Sequence, residues 1–370
     1  MRMADSGATI ELKERNRMTG TGRFMIYGAS GYTGKLMMRE ARDTGLNPII
    51  AGRSEAKLKS LANQYGFEVR AFELSDRKAI DAALGEVDLV VHVAGPFSAT
   101  SKPMIDACLR TGTHYLDITG EISVFEACAK RDDAAKEAGI MIMPGVGFDV
   151  VPSDCLAAHM KRRMPDATDL VLGISGMGSA SRGTSKTMIE SIGDGTRVRR
   201  DGKITAISPT PQREMDFGKG AVNSVAVGWG DVSTAFHSTG IPNITVFFEA
   251  NPQLAQMANM GSFTRFLLSF GFMQKKLKAK VDAGPEGPSE TDRAAGFSVL
   301  VGEATNEAGD KVVSRLRTPE GYTLTCLTGL DIAKRVMAGE AKVGFQTPSS
   351  AFGPDYITGF EGCVREDLNS

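Results

Sequence analysis

Short apolar runs alternate with amphipathic stretches from Arg23 to about Val150, and this pattern predicts a parallel β-sheet with helices on both faces. The predicted strands cover 24–28, 48–51, 68–72, 88–93, 115–118 and 140–143. The predicted helices between them each end at a glycine, as helix C-caps favour, and cover 33–44, 54–65, 76–84, 102–111 and 121–138. Together these elements indicate a Rossmann-type, doubly wound α/β fold.

The pattern changes after Val150. A helix is predicted from Ser153, followed by a strand over 169–175. Longer β-like runs then cover 201–207, 222–228, 243–250, 297–305 and 311–317. A long helix over about 253–281 interrupts these runs, and the segments 229–231 and 237–240 bracket a short turn or strand. We therefore expect a second, α+β domain with a mostly antiparallel sheet.

A chain of 370 residues is long enough for two domains. We expect a disordered leader over 1–22, a Rossmann domain over 23–150 and an α+β domain over 151–320. Residues 321–370 form a C-terminal segment with a helix and an end rich in proline and glycine.

The composition limits which binding partners and which cellular compartment fit the chain. A formal net charge of −1 gives no electrostatic reason to expect a nucleic-acid partner. The five cysteines are scattered and include no C-x-x-C pair, so neither a disulfide framework nor a metal site is indicated, and a reducing, cytoplasmic setting fits. The apolar stretch 263–273 is too short to span a membrane, so no transmembrane segment is predicted.

The run GASGYTG, residues 28–34, follows the first predicted strand and opens the first helix. Glycines also mark ordinary tight turns, but here the chain returns as a second strand within about 30 residues, as a dinucleotide-binding βαβ unit requires. Gly28 would make the turn, Gly31 would let the backbone approach a pyrophosphate, and Gly34 would let the helix pack close to the strand. The run therefore predicts a dinucleotide site at this helix N-terminus.

The ends of two other strands specify the nucleotide. After the second strand the chain reads Ala51-Gly52-Arg53-Ser54, with no acidic residue to accept a hydrogen bond from a ribose 2′-hydroxyl. Arg53 and Ser54 instead suit a 2′-phosphate, which favours NADP(H) over NAD(H); the alternative is a solvated surface arginine. The small residues that end the fourth strand are further cofactor neighbours: Ala94, Gly95 and Pro96.

Motifs along nearly the whole chain, from Arg23 to Gly362, resemble the saccharopine dehydrogenase-like oxidoreductases, and most of all the bacterial branch of trans-acting enoyl reductases. These motifs are GASGYTG, AGRSEAKL, HVAGPF, HYLDITGE, PGVGFDVVPSD, GTSKTMIESIG, WGDVSTAFHSTGIPN, RLRTPEGYTLT and GFQTPSSAFG. The resemblance implies that the phosphate loop consists of Gly28, Ser30, Gly31, Tyr32, Thr33 and Gly34. It also implies that the second domain supplies the substrate pocket and that the C-terminal segment returns to the first domain. An arginine cluster for a dicarboxylate substrate does not stand out.

Hydride transfer also needs a proton donor, and donors should lie at the carboxyl edge of the sheet or in the second domain. The candidates are Tyr115, Asp117, Glu121, Asp149, Lys186 and His237. Each has a structural alternative: a satisfied carboxylate at a strand end, an acidic residue at a helix N-terminus, or a solvated lysine. His92, within the fourth strand, is predicted to be a core histidine.

These observations predict an NADPH-dependent reductase that delivers hydride to an activated double bond of a small hydrophobic substrate. Two alternatives remain: reduction of an imine or ketone, and a non-catalytic NADP-binding scaffold at lipid surfaces. The aromatic and lysine-rich helix near 253–281 favours core or homodimer packing, and the alternatives are a lid over a lipophilic pocket or peripheral contact with a membrane surface.

Overall fold

The computed structural model describes residues 22–368, except for Met177, Ser179, 192–194 and 259–269. The predicted leader therefore lies outside the described residues. The chain forms two compact units, each built from several segments. Within the described residues, the first unit comprises 22–119, 123–148 and 325–346, and the second comprises 120–122, 149–324 and 347–368.

A seven-stranded parallel sheet forms the centre of the first unit. Its strands lie in the order β15 (Gly344–Phe345), β6 (Met141–Met143), β5 (His114–Asp117), β4 (Leu89–His92), β1 (Phe24–Tyr27), β2 (Ile49–Gly52) and β3 (Val69–Ala71). Its first six strands alternate with helices, as the apolar pattern predicts, and these elements are β1 Phe24–Tyr27, α1 Tyr32–Asp43, β2 Ile49–Gly52, α2 Glu55–Tyr65, β3 Val69–Ala71, α3 Arg77–Gly85, β4 Leu89–His92, α4 Phe97–Thr111, β5 His114–Asp117, α5 Ile122–Ala129, α6 Asp132–Glu137 and β6 Met141–Met143. The doubly wound α/β prediction is confirmed.

Two boundaries in this region differ from the prediction. The helix expected over 121–138 is two helices, α5 and α6, separated by a turn at Lys130 and Arg131. Arg131 at this break is held by an ion pair of 2.7 Å with Asp106 of α4. The helix expected over 102–111 begins earlier, at Phe97, because it starts directly after Pro96 and accommodates Pro103 in its second turn.

The second unit is built on a nine-stranded mixed sheet. Its elements before the C-terminal segment are α7 Val151–Arg163, β7 Asp169–Ser175, α8 Arg182–Ser191, β8 Thr196–Arg200, β9 Lys203–Ile207, β10 Gln212–Asp216, β11 Ala221–Ala226, α9 Asp231–Thr239, β12 Asn243–Glu249, α10 Pro252–Ala258, α11 Gly271–Asp282, α12 Glu290–Ala295, β13 Phe297–Thr305 and β14 Lys311–Pro319. The strand order is β10-β11-β12-β7-β13-β14-β16, with the β8–β9 hairpin joined to β12. Among the strand pairs that the structure describes in this sheet, β7 and β12 form the one parallel pair, so the mostly antiparallel sheet is confirmed.

Three predictions in the second unit were wrong or incomplete. The expected strand over 201–207 begins in a hairpin turn, because Asp201 and Gly202 both have positive φ (48° and 73°), as a two-residue turn requires. The expected turn or strand between the Trp229 and His237 segments is the helix α9, which ends at a left-handed Gly240. Of the long helix expected over 253–281, α10 and α11 are described, and the part between them lies outside the described residues.

The C-terminal segment contributes to both units. It contains α13 Gly321–Arg335, β15 Gly344–Phe345, α14 Pro348–Phe352 and β16 Val364–Leu368. β15 pairs with β6 in the first sheet, and β16 pairs with β14 in the second. The expectation that this segment returns to the Rossmann domain therefore describes only residues 325–346, which belong to the first unit.

Candidate functional site

The glycine loop between β1 and α1 is built so tightly that it excludes side chains at two positions. Gly28 has φ +98°, and a Cβ there would lie 2.8 Å from the amide nitrogen of Ala94. A Cβ at Gly34 would lie 2.7 Å from Cα of Ala29, so α1 can approach β1 only because this residue is glycine. The sequence assigned the tight turn to Gly28 and the close packing to Gly34, and the structure has these features at those residues.

The N-terminus of α1 offers donors for an anion. Gly31 is the N-cap residue, no side chain caps the helix, and its first turn contains no acidic residue. The loop residues before and in this turn retain solvent exposure, namely Ser30, Gly31, Tyr32 and Thr33. Because the first amides of a helix point outward at its positive end, this terminus suits a pyrophosphate.

At the end of β2 the chain has a positively charged residue, whereas an NAD-binding site would have an acidic residue there. Arg53 directly follows β2, is exposed, and forms no ion pair with any residue that the structure describes. Ser54 is the N-cap of α2, and its Oγ accepts a hydrogen bond from the amide of Lys57 at 3.5 Å. The hydroxyl proton of Ser54 remains available as a donor, so both residues fit a 2′-phosphate.

The end of β4 lies against the glycine loop, as the Gly28–Ala94 contact shows. Gly95 is exposed, and Ala94 and Pro96 are partly exposed. Thr100 of α4 holds this turn, since its hydroxyl lies 2.7 Å from the carbonyl oxygen of Ala94. The three predicted cofactor neighbours therefore flank the same loop as Gly28.

His92, just before this turn, is fully buried among aromatic rings. Its Nε2 lies 3.0 Å from Oγ1 of Thr100, whose proton goes to the carbonyl of Ala94, so Nε2 carries the histidine proton. Burial lowers the pKa of His92 to about 3, and the imidazole stays neutral. The histidine is part of the core, as predicted.

Tyr115 and Asp117 interact with each other at the end of β5. The Tyr115 hydroxyl donates to Oδ2 of Asp117 at 2.6 Å, and the amides of Thr119 and Gly145 donate to Oδ1 at 2.9 and 3.0 Å. Both side chains are fully buried. Burial and the charge of Asp117 raise the pKa of Tyr115 well above its usual value. This geometry favours the structural alternative for Asp117, a carboxylate satisfied by its surroundings.

Three aspartates in the second unit are poorly solvated. Burial raises the pKa of Asp231 to about 8, and the charges of Asp154 and Asp149 act in the same direction. Neither carboxylate oxygen of Asp231 has a hydrogen-bond partner among the described residues. Burial also raises the pKa of Asp149 to about 7, and that of Asp154 is raised despite a hydrogen bond of 2.7 Å from the amide of Ser349. Asp149 and Asp231 therefore retain a substantial protonated fraction near neutral pH.

Of the three, Asp149 is the one with some solvent exposure, whereas Asp154 and Asp231 are buried. Its Oδ2 would be 3.0 Å from a Cβ at Gly120, so the carboxyl group lies directly over a glycine. Sequence analysis named Asp149 as a candidate proton donor, but it did not identify Asp154 or Asp231. Both lie in the first turn of a helix, where acidic residues are common, so their position alone did not indicate that they are buried.

The remaining predicted candidates lie elsewhere. Lys186 forms an ion pair of 2.5 Å with Asp282, which joins α8 to α11. His237 is exposed on α9, with its ring 5.8 Å from that of Phe236. Glu121 is partly exposed just before α5. Lys186 and His237 thus lie on different helices. The ammonium group of Lys186 is paired with Asp282, and His237 is exposed.

A cavity of about 280 Å³ opens at the amino end of β1, far along the strand from the glycine loop. Its lining includes Arg23, Leu46, Glu68 and Met337, and Arg23 is paired with Glu68 at 2.9 Å. None of the predicted cofactor residues lines it. In doubly wound sheets ligands bind at the carboxyl ends of the strands, so we place no cofactor contact in this cavity.

Comparison with known proteins agrees with the geometry of the first unit. Residues 24–143 match the family model of the saccharopine dehydrogenase NADP binding domain. A saccharopine dehydrogenase-like oxidoreductase from Mus musculus is 26% identical over 215 residues, which span 50% of each chain. A trans-acting enoyl reductase from Mycobacterium leprae is 31% identical over 166 residues, 40% of this chain and 39% of that protein. This chain therefore aligns with half or less of the length of these relatives.

A solved structure extends the likeness to the whole fold. The L-Glu-forming saccharopine dehydrogenase from Saccharomyces cerevisiae superposes with a TM-score of 0.64 over 94% of this chain and 100% of that chain, at 12% sequence identity. At this identity the match shows the fold alone. The first unit therefore carries a saccharopine dehydrogenase NADP-binding domain over residues 24–143, and the chain is similar to saccharopine dehydrogenase-like oxidoreductases over about half of its length.

Proposed function

We propose that this protein is an NADPH-dependent reductase that acts on an activated carbon–carbon double bond of a hydrophobic substrate. The NADP-binding domain and the oxidoreductase relatives support the reductase assignment. The similarity to a protein named trans-acting enoyl reductase supports the enoyl-type acceptor. The proposal for the substrate rests most on how the second unit uses its arginines.

A dicarboxylate substrate of the saccharopine type would need several guanidinium groups that are not already occupied. The arginines described in the second unit are instead engaged within the protein. Two pair with Asp355, others pair with Glu303 or Glu366, and several donate to backbone carbonyl oxygens or lie over a phenyl ring: Arg162, Arg163, Arg182, Arg199, Arg200, Arg213, Arg293, Arg315, Arg317 and Arg365. This commitment disfavours a highly charged substrate and supports a hydrophobic one.

When bound, NADPH would supply the hydride for the β-carbon of an alkene conjugated to a carbonyl group, and a protein side chain would supply the proton for the α-carbon. Gly31 and the N-terminus of α1 would hold the pyrophosphate, and Arg53 with Ser54 would hold the 2′-phosphate. We assign the proton to the carboxyl group of Asp149, since it is partly exposed and its pKa of about 7 keeps a substantial fraction protonated at neutral pH. Glu121 and His237, both accessible, are the alternative donors.

Isotope transfer from NADPH deuterated on its nicotinamide tests the proposal. The purified protein is incubated with a long-chain 2-enoyl thioester or, in parallel, with a ketone and an imine of the same chain length. Deuterium on the carbon β to the carbonyl supports the enoyl reaction. Label only on the ketone or imine carbon would replace it with the saccharopine-type reaction. NADPH binding without transfer to any acceptor would instead support a non-catalytic scaffold.

The five free cysteines, all buried, fit our placement of this reaction in the reducing cytoplasm.

A further inference from the structure

The helix α11 lies on the surface of the second unit, since none of its residues is buried. Its most exposed residues recur every three or four positions, the spacing of one helical face. This outward face consists of Phe272, Lys275, Lys276, Ala279 and Lys280. We call it the lysine face.

The opposite face of α11 is fixed to α8 by two ion pairs. Lys278 lies 2.6 Å from Glu190, and Lys186 lies 2.5 Å from Asp282. In contrast, the three lysines of the lysine face form no ion pair within the part of the chain that the structure describes. The pairing therefore directs three uncompensated positive charges away from the protein.

Aromatic rings accompany these charges at the amino end of the helix. Phe272 is 71% exposed and Phe270 is 43% exposed, the two highest values among the exposed phenylalanines described. Their ring centroids are 6.4 Å apart with nearly parallel planes. A soluble partner-free surface gains nothing from two exposed phenyl rings beside a row of lysines, whereas a membrane interface accommodates both.

From this arrangement we infer that the lysine face, together with Phe270, docks onto the surface of a negatively charged lipid bilayer. The lysines meet the anionic headgroups while the phenyl rings enter the boundary between headgroups and acyl chains. A second copy of this chain is a poorer occupant, because a symmetric contact would bring two rows of lysines together. None of the described helices is long and apolar enough to cross a membrane, so the contact is peripheral. The inference does not depend on the identity of the hydride acceptor.

Vesicle flotation of the full-length protein tests this inference. We expect binding to phosphatidylcholine vesicles that contain phosphatidylserine, weak binding to phosphatidylcholine alone, and loss of binding at high ionic strength. The triple variant K275E/K276E/K280E should bind the anionic vesicles about 100-fold more weakly, since each lysine near an anionic surface contributes separately. Phe272→Ser should weaken binding about tenfold, because the phenyl ring no longer leaves water.

The matched control is K78E/K203E/K334E, which changes net charge equally at three exposed lysines outside α11. It should bind as the unaltered protein does, and all variants should retain NADPH affinity, which shows that they are folded. Equal loss in the control triple would mean that total charge, not this face, drives binding. Absence of flotation with anionic vesicles, or retention on an acidic protein column with none on lipid, would overturn the inference.

Discussion

Gly34 lies so close to the turn at Ala29 that a methyl group on it would stand 2.7 Å from Ala29 Cα. Gly34→Ala should therefore push α1 away from β1, lowering the free energy of unfolding by about 1–3 kcal/mol and weakening NADPH binding. Calorimetric titration and urea unfolding measure the two effects. Gly85→Ala is the control, because Gly85 ends α3 with open space around it and no positive φ. Equal behaviour of the two variants would contradict the packing argument.

Arg53→Asp should weaken NADPH binding by about 100-fold, since a charge-assisted contact to the 2′-phosphate is replaced by repulsion. NADH, which has no such phosphate, should bind the variant no worse than the unaltered protein. Arg77→Asp provides a control on an arginine whose side chain is 74% exposed at the start of α3. If Arg53→Asp leaves the preference for NADPH unchanged, another residue reads the 2′-phosphate.

Asp117→Asn should reduce stability by about 2 kcal/mol, because a buried carboxylate that accepts three hydrogen bonds loses its charge. Urea unfolding measures this, with Asp43→Asn on the exposed end of α1 as the control. We expect the folded variant to turn over substrate. A folded, equally stable Asp117→Asn protein without turnover would instead make Asp117 a catalytic residue.

Asp149→Asn should lower kcat by about 10²–10⁴-fold while leaving NADPH affinity unchanged, because the amide has no acidic proton to transfer. The unaltered enzyme should lose activity as the pH rises through about 7, where the carboxyl group ionises. Steady-state rates measured across this pH range show the decline in activity. The residual activity of Asp149→Asn should not show this decline. A normal kcat in Asp149→Asn would direct attention to Glu121 and His237.

The stability of the protein should depend on Asp231 in the opposite sense to an ordinary surface carboxylate. Its pKa is about 8 in the folded state and about 4 in the unfolded chain, so the unfolded state releases its proton first as the pH rises. The contribution of Asp231 to stability is therefore greatest below about pH 4, and it is lost progressively as the pH rises to about 8. Asp231→Asn should remove much of this slope in urea unfolding between pH 5 and 8. An unchanged slope would mean that Asp231 is ionised in the folded protein.

The geometry of the candidate cofactor loop could be predicted because it depends on the local course of the chain. The turn at Gly28, the packing of Gly34 and the position of Arg53 all follow from a strand, a helix and the next strand within about 30 residues. The second unit was less predictable. Asp154 is held by the amide of Ser349, 195 positions later, and no local pattern reveals such a contact.

Short elements escaped prediction for a related reason. β15 has two residues, Gly344 and Phe345, and exists only because β6 provides its hydrogen-bonding partner. α9 was missed because its nine residues mix apolar and hydroxyl side chains and so show no helical apolar period, although 231–235 are all buried in the structure. Tertiary context, not propensity, decides both.

The order of segments along the chain limits how the protein can be made. The first unit needs Thr325–Gln346, which lies after almost the whole second unit, and this segment provides the strand at one edge of its sheet. During synthesis the ribosome therefore releases most of the NADP-binding fold long before its last strand exists. A fragment cut after β6 would lack β15 and leave β6 as an unpaired edge strand, so a single truncation does not yield the complete first unit.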